Sequence, residues 1–244
     1  MSLITLQANF YEWQKRTGRD DELDILIQSG IHLDKMRNKL IEAALEKSFD
    51  YLLLLDADQT FPHNMIEMMI GDFEDNTDVE AVTGIYTWKE PPYLPHVYRK
   101  FDEESKKFMI AGGFPLDEIF QVEGAGCGCL MVKACVFKRT EEPWFKFGSW
   151  GGSLPMGEDL YFCYKAKPVM VCDPRIRSGH YRMATVGLMD YIKSNNLEYN
   201  AGKESFEISE DQLQAIADKH LGRAGKKAFD EFDENEKNAE GNLI

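Results

Sequence analysis

The sequence has no long apolar run and no apolar leader at its start. The run Leu52 to Leu55 is among the longest, far short of the ~20 consecutive apolar residues that a membrane-spanning helix needs. The first residues, Met1-Ser2-Leu3-Ile4, contain neither a basic segment nor the apolar stretch of a secretory signal. We therefore expect no transmembrane segment and a cytoplasmic protein.

Positive charge is scarce in this chain. The 28 Lys and Arg residues are outnumbered by 42 Asp and Glu residues, which gives a formal net charge of −14. Such a chain repels a phosphate backbone, so a nucleic-acid partner is disfavoured, although a local basic patch is compatible with this balance. Part of the excess acid lies between Asp230 and Glu236, and residues 229–244 are expected to form an acidic, solvated tail.

Cysteine is also sparse. The five cysteines are an odd number, and Cys127, Cys129 and Cys135 lie close together, which does not fit a secreted disulfide framework. The paired C-x2-C spacing of a structural zinc site is missing as well. We expect these side chains to be buried as small apolar groups rather than to bind zinc.

The first half of the chain alternates between strand-like and helical patterns. Apolar runs predict strands at Asp24 to Gln28, Asp50 to Leu55 and Glu80 to Tyr86, and their lack of alternation suits a parallel sheet covered on both faces. Helices are predicted from Asp34 to Lys47 and from Pro62 to Ile70. This order indicates an α/β fold.

The second half is less regular. The predicted elements are a glycine-interrupted strand at Val122 to Val132, a helix starting at Ala134 to Phe137, a loop at Pro143 to Gly157, a helix at Glu158 to Lys167, a strand at Val169 to Cys172 and a polar helical region from Met183, including Glu210 to His220.

Asp56-Ala57-Asp58 follows directly on a predicted buried strand. In an open α/β sheet, ligands bind beyond the carboxyl ends of strands, and two carboxylates at this spacing can converge on one hard cation. The alternative is that both aspartates only cap the helix that follows. Glu158-Asp159 equally suits a helix N-terminus, and a lone histidine such as His180 is more often structural than a metal ligand.

Several segments, taken in order, carry a specific pattern. They are Leu53 to Pro62, Gly124 to Lys133, Pro143 to Phe145, Gly157 to Cys163 and Asp173 to His180. Together they resemble GT-A glycosyltransferases, in particular the family 2-like members common in bacteria and their phages, over Leu23 to His180. The resemblance implies a mostly parallel, Rossmann-like sheet flanked by helices, and the cytoplasm of a host cell if the chain is phage-encoded.

The resemblance also implies roles for individual residues. Asp56 would face the nucleotide ribose, while Asp58, with Asp56 and His180, would bind Mn²⁺ or Mg²⁺ on the diphosphate. Asp159, beside Glu158, would be the general base on the acceptor hydroxyl. The predicted nucleotide-binding group comprises Asp56, Arg37, Asn38, Lys89 and Gly126.

The resemblance extends to the segments that surround these residues. Gly124 to Cys129 would line the donor sugar and the acceptor. Trp144 and Trp150 would flank a loop that closes over the substrates around Gly151-Gly152.

One departure from the family pattern concerns the start of the chain. Family members open with a strand and a turn that contacts the nucleotide base, whereas Met1 to Trp13 reads as a helix already under way. A late gene start, a natural truncation or a substitute segment would each explain this. The expected organisation is a shortened GT-A domain at 1–182, a helical extension at 183–228 and the tail.

The leading hypothesis is a metal-dependent glycosyltransferase that uses a UDP- or GDP-sugar. The sequence leaves the hydroxyl acceptor open between a glycan, a protein, a lipid-linked intermediate and a modified base. It also leaves open whether the anomeric configuration is inverted or retained, and it is compatible with a homo-oligomer. A nucleotidyltransferase is disfavoured because no N-terminal glycine-rich loop is present. A degenerate transferase fold that acts as a binding or assembly module is the remaining alternative.

Overall fold

The structure is a computed structural model that describes residues 3–30, 32–149, 155–181, 187–200, 205–213 and 215–216. The predicted acidic tail, Trp150 and the Gly151-Gly152 pair lie outside these ranges. The helices are α1 Leu3–Thr17, α2 Leu33–Glu46, α3 Met65–Asp75, α4 Ala134–Arg139, α5 Glu158–Ala166 and α6 Leu188–Ser194, and residues 210–213 are also helical.

The strands are short, and most of them follow one another without an intervening helix. They are β1 Tyr51–Leu55, β2 Gln59–Thr60, β3 Ala81–Ile85, β4 Val97–Asp102, β5 Lys107–Ile110, β6 Phe114–Pro115, β7 Phe120–Val122, β8 Gly124–Ala125, β9 Cys129–Lys133, β10 Gly148–Ser149, β11 Pro155–Met156, β12 Met170–Arg177, β13 Gly179–His180, β14 Tyr199–Asn200 and β15 Ser205–Phe206.

The central sheet has the order β1-β9-β3-β12-β7. Only β3 and β12 pair in parallel, and the other three pairings are antiparallel, so the prediction of a mostly parallel sheet is wrong. The chain is a mixed α/β fold whose central sheet is mostly antiparallel. The reason is the path of the chain before β9. It passes through β4 to β8 and not through a helical crossover, and β9 then lies between β1 and β3, antiparallel to both.

The apolar runs did not reveal strand direction because both faces of the sheet are covered. Along β9, Cys129 and Met131 pack in one hydrophobic cluster with α1 and α3, whereas Leu130 and Val132 pack in the other with α2, α4, α5 and α6. A strand buried on both faces lacks polar alternation whether its neighbours are parallel or antiparallel.

The strand predicted at Asp24 to Gln28 is absent from the structure, and residues 19–30 pass along the surface outside any sheet. Leu26 packs against the core, but Ile27 is 79% exposed. A run of three apolar residues is too short to distinguish a strand from an extended segment with one anchoring side chain.

The predicted helices are confirmed as α1, α2, α3, α4 and α5, some of them with shifted ends. His32, not Asp34, occupies the N-cap of α2, and α3 begins at Met65, after Pro62. The glycine-interrupted strand separates into β7, β8 and β9. Beyond residue 186, α6 is accompanied by β15, which pairs with β6, and Tyr191 and Phe206 lie in the main hydrophobic cluster.

No helix in the described ranges has the length and apolarity that crossing a bilayer requires.

A buried acid pair joins α3 to the central sheet. Asp72 on α3 and Asp173 on β12 are both almost fully buried. Arg175 Nη2 donates to Asp72 Oδ1 at 3.3 Å and to Asp173 Oδ2 at 2.9 Å. Burial and the neighbouring carboxylate of Asp173, with a smaller contribution from Asp75, raise the pKa of Asp72 to about 7. The folded protein therefore keeps a proton on Asp72 that the unfolded chain has released.

This pair predicts a pH-dependent stability. Because the folded-state pKa exceeds the unfolded value, the contribution of Asp72 is complete below about pH 4 and is lost as the pH rises through about 7. Asp72→Asn, which mimics the protonated form, should therefore gain stability relative to the wild type between about pH 5 and pH 8. Urea unfolding at several pH values measures this, with the exposed Asp78→Asn as control; parallel stability curves for Asp72→Asn and wild type would contradict it.

Candidate functional site

The candidate site lies where three strands of the central sheet end. β1, β3 and β12 run in the same direction, because β1 and β3 are both antiparallel to β9 and β12 is parallel to β3. Their carboxyl ends therefore share one edge, even though the sheet as a whole is mostly antiparallel. Asp56 and Asp58 follow β1, Lys89 follows β3, and His180 follows β12.

The Asp56–Asp58 turn is fastened to the segment that contains His180. β2 pairs with β13 so that Gln59 lies opposite His180 and Thr60 opposite Gly179. In addition, the Tyr181 backbone N–H donates to the Asp58 carbonyl at 2.6 Å. These bonds fix the carboxylate turn beside a segment that is more than a hundred residues distant in the chain.

Arg37 connects α2 to the two acidic segments. Its Nη2 donates to Asp56 Oδ1 at 2.9 Å, and its Nη1 donates to Glu158 Oε1. Arg37 and Glu158 are both buried, whereas Asp56 is partly exposed. A planar guanidinium suits this bridging role because its donors are held in a fixed geometry.

Asp159 lies next to this bridge, at the start of α5. Desolvation raises the pKa of Asp159 and the charge of Asp56 raises it further, while Arg37 and the Leu160 N–H act in the opposite direction. The Leu160 N–H donates to Asp159 Oδ1 at 2.7 Å and fixes the carboxyl orientation. A Cβ at Gly157 would lie 2.6 Å from the same oxygen, so a larger residue there would shift the carboxyl group.

Asp58 forms an ion pair with Lys89, and both side chains are nearly half exposed, at 45% and 42%. The described site thus contains four carboxylates, Asp56, Asp58, Glu158 and Asp159, against the two cations Arg37 and Lys89. With all four ionised, the formal charge is −2. An anionic, solvent-accessible edge of this kind attracts a divalent cation.

His180 is held by hydrogen bonds at both ring nitrogens. Nδ1 faces the Thr87 carbonyl, which can only accept, so Nδ1 carries the proton and Nε2 accepts from the Gln59 amide at 3.2 Å. Burial lowers the pKa of His180, which keeps the ring neutral. In this tautomer Nε2 carries the lone pair that a metal ligand needs. That lone pair already accepts a hydrogen bond from the Gln59 amide, which must break before a metal binds.

Within the described ranges, no three His, Cys, Asp or Glu side chains converge as a ready metal cluster. A Mg²⁺-type site does not require one, because one or two carboxylates together with substrate phosphates are sufficient. Asp58 and Asp56 fit that role, as accessible oxygen ligands in a site with excess negative charge. His180 fits only after its bond to Gln59 is broken.

Asn38 is placed differently from the sequence prediction. Its Oδ1 accepts from the backbone N–H groups of Trp144 and Phe145, and its Nδ2 donates to the carbonyls of Asp34 and Phe145. All four hydrogen-bonding positions of the amide are thus occupied. Asn38 therefore anchors the loop after α4, and contact with a nucleotide would need one of these bonds to break.

Trp144 is part of the core rather than an open substrate platform. It is buried, and its Nε1 donates to the carbonyls of Phe137 and Thr140. Cys127, Cys129, Cys163 and Cys172 are buried as predicted, whereas Cys135 is exposed, so the prediction is wrong for that residue.

Sequence reasoning missed Tyr86, the residue that follows β3. Its hydroxyl accepts from the Gly128 N–H at 3.0 Å, and it occupies the space beside Gly126, where a Cβ would lie 2.0 Å from the hydroxyl. Gly126, predicted to contact the nucleotide, is required for this close approach. Gln59, the residue directly after the carboxylate pair, was missed as well, although its position in the sequence could have indicated it.

Comparison with known protein families found no matching family model, and comparison with curated proteins found no match either. Among solved structures, the chain is similar to the viral protein A197 from STIV, with a TM-score of 0.50 and 18% sequence identity. The similarity covers 82% of this chain and 87% of that one. At this identity the comparison shows a shared fold alone.

The Arg37 bridge predicts a large loss of stability on substitution. Arg37→Met leaves Glu158 buried without a counter-charge, which should cost about 3–5 kcal/mol in unfolding free energy. Adding Glu158→Gln to Arg37→Met should recover part of this loss, because the buried charge is then removed.

Chemical unfolding of the two variants and the double variant tests this coupling. Arg16→Met, which breaks the exposed Arg16–Glu67 pair, is the control and should cost less than about 1 kcal/mol. Additive losses in the double variant would show that Arg37 and Glu158 do not stabilise each other.

Proposed function

We propose that the chain is a metal-dependent glycosyltransferase that moves a sugar from a nucleotide-diphospho-sugar, UDP- or GDP-linked, to a hydroxyl acceptor. The observation that carries this is the group of four carboxylates around Arg37 and Lys89, in which Asp56 and Asp58 are accessible and Asp159 is a desolvated carboxyl group at the start of α5.

The anionic edge supports a diphosphate-binding role through a divalent cation. Asp58, with Asp56, would hold Mn²⁺ or Mg²⁺, which would neutralise the charge that builds on the departing nucleotide diphosphate. Lys89 forms an ion pair with Asp58, and it would pair with a phosphate once it leaves that carboxylate. Arg37 stays buried and holds Asp56 in position.

The acceptor hydroxyl would lose its proton to Asp159. Desolvation makes this carboxylate a stronger base than an exposed aspartate, because its raised pKa favours accepting a proton. The Leu160 N–H holds Oδ1 and so fixes the orientation in which the carboxyl group would meet an acceptor. Glu158, tied to Arg37, is a positioning residue rather than a second base.

A second candidate is a metal-independent binding module. The observation in its favour is that Asp56, Asp58 and Glu158 each already pair with a cationic side chain. Calorimetric titration with UDP, GDP and their common sugar conjugates, with and without Mn²⁺, separates the two. Binding that is lost with EDTA supports the transferase, and equal binding in EDTA supports the module.

Asp58→Asn should abolish metal-dependent nucleotide binding and leave the fold intact. We expect the increase in UDP or GDP affinity caused by Mn²⁺ to fall by more than about tenfold, because a neutral amide is a poor ligand for a hard cation. Asp24→Asn is the matched control, since the Asp24–Lys47 pair has similar exposure. Unchanged Mn²⁺-dependent affinity in Asp58→Asn would rule out this metal assignment.

Asp159→Asn should spare donor binding but reduce the transfer rate by about 10²–10⁴-fold, the usual contribution of a general base. The matched control is Asp34→Asn, because Asp34 Oδ1 likewise accepts from the next backbone N–H near the start of a helix. Single-turnover transfer and calorimetry on the same samples separate rate from binding. A transfer rate close to that of the wild type would exclude Asp159 as the base.

A further inference from the structure

Gln59 is a residue of the candidate site that the proposed mechanism does not use. It follows the carboxylate turn directly and lies opposite His180 in the pairing of β2 with β13. Its side chain is buried, and the residue is only 3% exposed. Gln59 therefore occupies a packed position beside both the turn that would hold a cation and the histidine that the family resemblance assigns to that cation.

The Gln59 amide blocks the one nitrogen of His180 that could bind a metal. Gln59 Nε2 lies 3.2 Å from His180 Nε2, whereas His180 Nδ1 carries the proton that faces the Thr87 carbonyl. An imidazole nitrogen binds a cation such as Zn²⁺ at about 2.0–2.1 Å. A cation at that distance along the same lone pair would lie inside the gap that the amide nitrogen closes. The amide and a cation therefore cannot occupy the position in front of Nε2 together.

The packing around Gln59 keeps the amide in this place. A Cβ at Gly128 would lie 2.1 Å from Gln59 Nε2, so the amide rests directly against the backbone of the glycine-rich stretch. That backbone is itself fixed, because the Gly128 N–H donates to the Tyr86 hydroxyl at 3.0 Å and the Gly128 carbonyl accepts from the Asp56 N–H at 3.3 Å. An exposed side chain could rotate away from His180, whereas Gln59 would have to leave a packed position.

The hydrogen bonding of the Gln59 amide serves His180 alone among the described residues. The amide oxygen Oε1 is buried and has no partner there. Turning the amide over would set Oε1 against the Nε2 lone pair of His180, and two acceptors would then face each other. The orientation that bonds His180 is thus the favoured one, although it leaves the oxygen unpaired.

The two aspartates of the turn differ from His180 in their access to solvent. The side chains of Asp56 and Asp58 are 33% and 45% exposed, whereas His180 is 5% exposed. Carboxylate oxygens are the hard ligands that suit Mg²⁺ and Mn²⁺, while imidazole suits Ni²⁺ and Zn²⁺. A cation that arrives from solvent would therefore meet carboxylate oxygens and not the imidazole.

We propose that Gln59 determines the specificity of the metal site by keeping His180 outside the metal shell, so that the cation is bound by oxygen atoms alone. The inference rests on the proposed glycosyltransferase function, and it departs from the family resemblance, which includes His180 among the ligands. The site then selects hard cations such as Mg²⁺ and Mn²⁺ over cations that prefer imidazole. Gln59 is a positioning residue, because it acts on the cation only through His180.

Pulsed EPR of bound Mn²⁺ in the presence of UDP or GDP tests this, because an imidazole nitrogen in the metal shell couples to the electron spin. The wild type should show no such coupling. Gln59→Ala vacates the space in front of His180 Nε2, so the coupling should appear, and adding His180→Phe should remove it. Affinity for Ni²⁺ relative to Mg²⁺, measured by calorimetry, should rise about tenfold in Gln59→Ala.

Gln14→Ala is the matched control. Gln14 is also buried, and its amide donates to the Asp21 carbonyl, outside the site. This variant should change neither the EPR spectrum nor the Ni²⁺ preference. Gln59→Asn, which shortens the side chain by one methylene group, replaces Gln59→Ala if that variant does not fold, and it should change both readouts in the same direction.

The outcomes separate the inference from the function on which it rests. Imidazole coupling in the wild type overturns the role of Gln59 while the transferase stands. An unchanged spectrum or Ni²⁺ preference in the Gln59 variants does the same, as does coupling that survives His180→Phe. Failure of the wild type to bind Mn²⁺ with either nucleotide overturns both the inference and the proposed function.

Discussion

Arg37 is the charged group on which the geometry of the site depends. Its guanidinium joins α2, the turn after β1 and the start of α5, and it does so from a buried position. Removing this charge leaves Glu158 buried without a counter-charge, which is strongly destabilising. The catalytic proposal for Asp159 depends on it as well, since Arg37 limits how far desolvation raises that pKa.

The direction of three strands determines where the chemistry can occur. β1, β3 and β12 end at the same edge although β9 and β7 run the opposite way. The rule that ligands bind beyond the carboxyl ends of strands therefore still applies, in a sheet that is mostly antiparallel. A ligand site of this kind needs only a few strands that run in the same direction, and it does not need a fully parallel sheet.

The sequence predicted the elements of the site better than its connections. Asp56 and Asp58 could be placed at a strand end because a buried apolar run stops abruptly before them. The helix α5 was recognisable because it starts at Glu158 and Pro168 follows its C-cap residue. Strand direction could not be read, because burial on both faces erases the polar alternation that reports it.

Single side chains were the hardest to predict. Asn38 forms its four bonds to backbone groups, three of them more than a hundred residues away, and nothing in the local sequence reports that contact. Tyr86, whose hydroxyl occupies the space beside Gly126, belongs to no sequence motif and so gave no signal. In both cases the role depends on tertiary neighbours rather than on the residue type.

The bond from Arg37 to Glu158 and the one between Gln59 and His180 each span 121 residues of sequence. Contacts between residues this far apart in sequence are expected to form late, because the chain loses conformational entropy on closing the loop before the contact can stabilise it. During synthesis, the segment that carries Asp56 emerges long before the segments that hold it in place. The acidic edge thus acquires its shape only when the second half of the chain has folded, and until then its carboxylates remain in water as ordinary surface groups.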